Sequence, residues 1–136
     1  MIKNKRIETV VHLLLMAALF WIVRYWHSQH FGLYEDDLTI IPQAFQMSFG
    51  KIIQFIYSEI VNFEGQGRPL HHSFIYLFSW LGWQIGGLWG PYWVGYAITV
   101  LNISLFYFLL KRISNSTWAL LGGCAYLLFS ADTTQA

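Results

Sequence analysis

The chain has 136 residues, of which 56% are hydrophobic and 19% aromatic, but only 11% are charged. A soluble domain of this size carries about a quarter charged residues, so this composition points away from one and towards an integral membrane protein. The net charge of +1 leaves no basic field for nucleic acid, and one cysteine, Cys124, excludes an internal disulfide.

The N-terminus opens with Lys3, Lys5 and Arg6, and about 15 uncharged residues follow from Thr9 to Val23. With Arg24-Tyr25-Trp26 at the interface, 9–26 reads as a first span. A cleaved signal peptide would need small residues after the apolar core. Arg24-Tyr25-Trp26-His27 stands there instead, so an uncleaved anchor is expected. The positive-inside bias puts its N-terminus in the cytoplasm and its end on the outer face.

Glu35-Asp36-Asp37 comes next. Three carboxylates repel one another and avoid lipid, so a triplet at a membrane surface needs water or a cation. From Pro42 to Phe63, Phe45, Phe49, Ile52, Ile53, Ile56 and Ile60 recur at three- and four-residue spacing. Gln43, Gln46, Lys51, Gln54, Ser58 and Glu59 fall mostly between them. This predicts one amphipathic helix lying in the interface plane. The competing reading is a helix packed in a small loop domain.

Glu64-Gly65-Gln66-Gly67-Arg68-Pro69 breaks that helix. From Pro69 to Leu110 there is no Asp, Glu, Lys or Arg. Two spans fit that length, as does an in-plane helix, 72–88, followed by one span, 92–110. Lys111-Arg112 decides, because two spans would place this pair outside, against the positive-inside bias. A last span, 113–131, returns outward and delivers Asp132 there. The predicted class is therefore all-α integral membrane, with about three transmembrane helices (four in the alternative). Amphipathic helices occupy the first outer loop, 27–91. The expected location is the plasma (inner) membrane, multi-pass, with membrane lipids as surroundings. The run ending at Ala136 suggests a piece of a longer protein.

This order of elements, with Gly67-Arg68-Pro69-Leu70 leading into an aromatic helix and a second span from Trp93 through Asn102 to Lys111-Arg112, resembles the N-terminal region of GT-C-type membrane glycosyltransferases. These include protein O-mannosyltransferases and lipid A aminoarabinose transferases. The resemblance covers nearly the whole chain. It rests on short motifs and on their order and side, and the many further spans of a GT-C membrane domain are missing from it.

The resemblance implies sugar transfer from a polyprenyl-phosphate or polyprenyl-diphosphate donor to an acceptor hydroxyl on the outer face. The first-loop acid falls on Asp36 or Asp37, with Asp36 ranked ahead, as general base in a single displacement with inversion. Such a base contributes roughly 10²–10⁴-fold. Glu35 adjoins it, and Arg68 and His71 would face the lipid phosphate, since guanidinium suits bidentate phosphate binding. Asp132 takes the place of a second outer acid that positions substrate. No cofactor is expected, although a divalent cation is compatible with the acids.

Plain readings stand beside these roles. The acidic triplet can cap the next helix. Arg68 can snorkel to the interface, and Asp132 can mark a helix end. His12 and Asn102 read as hydrogen-bond partners between helices. Trp80, Trp83, Trp89 and Trp93 read as an interfacial belt. The alternative function is a non-catalytic small membrane subunit or assembly factor. A transporter would place charged groups inside its spans near the midplane, and none of these spans has an acid or base at its centre apart from His12.

Overall fold

The computed structural model describes residues 2–26, 37–62 and 69–128. Almost all of them are helical: α1 (Ile2–Phe20), extended by a π-turn (Trp21–Tyr25), α2 (Asp37–Gln46), α3 (Phe49–Asn62), α4 (Pro69–Gly86), α5 (Gly90–Ile113) and α6 (Ser116–Leu128). Two stretches, Lys5–Tyr25 and Leu70–Ile113, are long and apolar enough to cross a membrane. In the most apolar 18-residue window of each, only 11% of the residues are buried. The chain divides into two compact units, residues 1–29 with 96–136, and residues 30–95.

The first unit contains α1, the 96–113 part of α5, and α6. Its core is Met16, Phe20, Ile103, Tyr107, Ala119 and Leu127. Pairings fix the directions. His12 meets Tyr107, and Tyr96 Oη donates to the Ala17 carbonyl at 2.9 Å, so α5 runs antiparallel to α1. Ser116 donates to Glu8, and Gly123 lies against Met16, so α6 runs parallel to α1. A β-carbon on Gly122 would meet the end of Leu110 and one on Gly123 the end of Met16, so either neighbour would have to shift. Small residues here let the helices approach closely.

α6 begins at Ser116, not at Ile113 as the sequence suggests. Asn115 stops the preceding helix and caps the new one, its Oδ1 accepting from Trp118 N–H at 3.0 Å. Ile113 instead completes α5.

In the second unit α4 is the central helix, with α2 and α3 packed against it. The single amphipathic helix expected over 42–63 is two helices. α2 starts at Asp37 and runs through Pro42, and Met47-Ser48 separates it from α3. Ser48 caps α3, its Oγ accepting from Lys51 N–H at 3.4 Å. Trp80 Nε1 donates to the Met47 carbonyl at 3.0 Å, satisfying an acceptor that the end of α2 leaves open.

α4 does not run on into α5. Gly87 has φ +57°, a left-handed conformation that suits glycine. After this turn Gly90 lies on Gly82, where a β-carbon on either would strike the other's backbone or Pro91. Eight residues along a straight helix would separate these two by about 12 Å. The apolar stretch 70–113 is therefore two helices joined by a tight bend.

Candidate functional site

Of the residues singled out for sugar transfer, Glu35, Asp36, Arg68 and Asp132 lie outside the described residues. Asp37 is the first residue of α2. His71 sits exposed in the first turn of α4, its ring tilted against His72 with centroids 5.9 Å apart.

What the fold brings together near His71 is a pair that the sequence pattern misplaces. Glu59 was expected on the polar side of its helix, yet it is only 5% exposed. Its Oε2 lies 3.6 Å from Nδ1 of His72 and accepts no hydrogen bond. The next residue, Ser73, is 2% exposed and its Oγ is also unpartnered.

Burying an unpaired carboxylate is expensive, so Glu59 needs the imidazole opposite it. His72 supplies the polar group that faces this carboxylate, at 3.6 Å. A signal for Glu59 does exist in the sequence: Ile52, Ile56 and Glu59 follow the i, i+4, i+7 pattern of one helix stripe. The stripe that packs on α4 runs through Ile52, Phe55, Ile56 and Glu59. Phe49, Ile53 and Ile60, which the sequence puts on one apolar face with Ile52, are exposed.

The rest of this surface is aromatic and hydrogen-bonded. Tyr76 Oη donates to Gln43 Oε1 at 2.8 Å, and its ring meets Phe55 at 4.3 Å between centroids. Phe45 stacks on Trp83 at 4.3 Å. Trp80 and Trp83 are thus packing residues between helices rather than members of a free belt. Trp93 is 61% exposed.

The first unit has its own polar cluster, all at one end. His12 Nδ1 and Tyr107 Oη are 3.0 Å apart, as expected for a histidine joining two helices. Lys111 Nζ donates to Thr9 Oγ1 at 2.6 Å and lies 5.5 Å from the centre of the Tyr107 ring. Asn102, expected to act like His12, is exposed on α5. At the other end Phe20, Trp21, Tyr25 and Tyr96 form an aromatic cluster, Phe20 and Tyr96 stacking at 5.6 Å.

Among the described residues, no three His, Cys, Asp or Glu side chains converge as metal ligands do. No protein-family model, curated protein or solved structure matches this chain.

Proposed function

We propose that this chain forms part of a GT-C-type membrane glycosyltransferase, which moves a sugar from a polyprenyl-phosphate or polyprenyl-diphosphate donor to an acceptor hydroxyl on the outer face. The observation that carries the reading is the bond between Lys111 and Thr9. It gathers Lys5, Arg6, Lys111 and Arg112 at one end of the helices. By the positive-inside bias that end is cytoplasmic. Trp26 lies about 25 Å further along the helix from Thr9, nearly the thickness of a bilayer core. The chain leaves α1 there, and Glu35-Asp36-Asp37 follows in sequence.

The membrane setting is supported by the apolar exterior. Val10, Leu14, Leu101, Leu105 and Trp118 are each more than half exposed. Apolar exterior on this scale is unfavourable in water and ordinary in lipid.

In the proposed reaction Asp36 or Asp37 takes the proton of the acceptor hydroxyl as its oxygen attacks the anomeric carbon. The lipid phosphate leaves from the opposite face, with inversion. Arg68 and His71 hold the phosphate, and Glu35 and Asp132 help place the substrate, with or without a divalent cation.

The test uses the full-length protein in native membranes supplied with radiolabelled polyprenyl-phosphate sugars. Transfer falls by about 10²–10⁴-fold in Asp36→Asn or Asp37→Asn at normal expression. Normal transfer in both variants sinks the base assignment. Failure of the unaltered protein to consume any donor favours the non-catalytic subunit.

A further inference from the structure

We infer that the basic end of the first unit binds the phosphate headgroup of an anionic lipid, in a groove between α1 and α5. The groove has a volume of about 530 Å³. Val10, Leu13 and Phe108 form its wall, and Lys5, Arg6 and Lys111 its rim. A second hollow of about 510 Å³ shares Phe108 and Lys111 with it and adds Arg112. Four cations therefore border two adjoining apolar hollows.

The charges are only partly offset locally. Glu8 is the one described carboxylate at this end; it interacts with Lys111 and Lys5, and one negative charge leaves the four cations in excess. Lys111 spends one bond on Thr9, and an ammonium carries three donors. Lys5 and Arg6 are exposed. A guanidinium matches two phosphate oxygens at once, with the ammonium groups adding point charge.

The apolar wall selects among anions. Free phosphate would gain nothing from Val10, Leu13 and Phe108. A lipid gains from both parts, its headgroup on the rim and its first methylenes on the wall. Basic pockets between helices on the cytoplasmic side of a membrane are suited to such headgroups. This site uses none of the residues assigned to sugar transfer, so it stands or falls independently of that reaction.

The test is native mass spectrometry of the whole chain released from detergent micelles. The probes are phosphatidylglycerol, phosphatidylcholine and inorganic phosphate. One phosphatidylglycerol is retained in preference to phosphatidylcholine. Lys5→Gln with Arg6→Gln weakens that retention by roughly thirtyfold. Arg24→Gln with Lys51→Gln removes the same charge elsewhere and leaves retention unchanged. Phe108→Ser keeps every cation yet lowers lipid retention, which guards against misfolding of the charge variant. Equal retention of the two lipids overturns the inference. So does equal weakening by the two charge-removing pairs, or inorganic phosphate binding as tightly as phosphatidylglycerol.

Discussion

Lys111 and Thr9, 102 residues apart in sequence, are joined by a 2.6 Å hydrogen bond from Nζ to Oγ1. The bond ties the C-terminal end of α5 to the start of α1. Its consequence is topological: the Lys111-Arg112 pair and the N-terminal cations share one end of the first unit.

That relationship sets the first prediction. Single cysteines at Lys111 and Asp37, in a Cys124→Ala background, are to be labelled in intact cells with a membrane-impermeant maleimide. Position 37 reacts from outside and position 111 only after permeabilisation. Labelling of both from outside would restore the four-span arrangement.

Glu59 and His72 should be strongly coupled. His72→Leu leaves a buried carboxylate facing nothing and should destabilise the second unit by roughly 3 kcal/mol. Glu59→Leu with His72→Leu should recover most of that loss, because apolar replacement of a whole buried pair is often neutral. Denaturant titration of all four variants, followed by tryptophan fluorescence, measures the coupling. Additive effects would mean that the two side chains do not depend on each other.

The bend between α4 and α5 depends on backbone contact. Gly90→Ala drives a β-carbon into the Gly82 carbonyl, which has no side chain to move aside. A loss of roughly 1–3 kcal/mol or more is expected. Gly50→Ala is the control, since its β-carbon would meet nothing within 4 Å. Thermal unfolding in detergent separates the two variants, with Gly90→Ala melting well below the control.

Gly123 faces the flexible end of Met16 instead of backbone. Gly123→Ala should therefore cost less than Gly90→Ala, about 1 kcal/mol. Shortening the neighbour tests the cause. Gly123→Val should be partly rescued by Met16→Ala, whereas a rescue of zero would place the clash elsewhere.

His12 and Tyr107 carry a buried polar contact across two helices. Tyr107 is fully buried, so His12→Phe strands its hydroxyl, whereas Tyr107→Phe removes that hydroxyl altogether and leaves the half-buried His12. His12→Phe should be the more damaging of the two, by about 1 kcal/mol. The same thermal assay reads the order, and a reversed order would show that the histidine is the group needing the bond.

Much of the architecture was legible because it rests on local chemistry. A run of apolar residues without charge makes an apolar helix, and Lys111-Arg112 falls in the last turn of one. The breaks were harder. Met47-Ser48 and Ser114-Asn115 contain no proline or glycine, and a cap of the Ser48 or Asn115 type is common enough in sequence to be missed. Glu59 was misread for a different reason. Its polarity suggests solvent, and only a partner from another helix makes its burial tolerable.

By itself, then, the sequence determined which segments are helical and apolar, and it concentrated its acids in Glu35-Asp36-Asp37. Tertiary structure decided which face of α3 turns inward, that 70–113 bends at Gly87, and that four cations meet at one end of a bundle. The reason is range. Helix formation and apolar character are set by residues within a turn or two of one another. The environment of Glu59, Gly90 and Lys111 is set by residues 8 to 102 positions away, which no local pattern records.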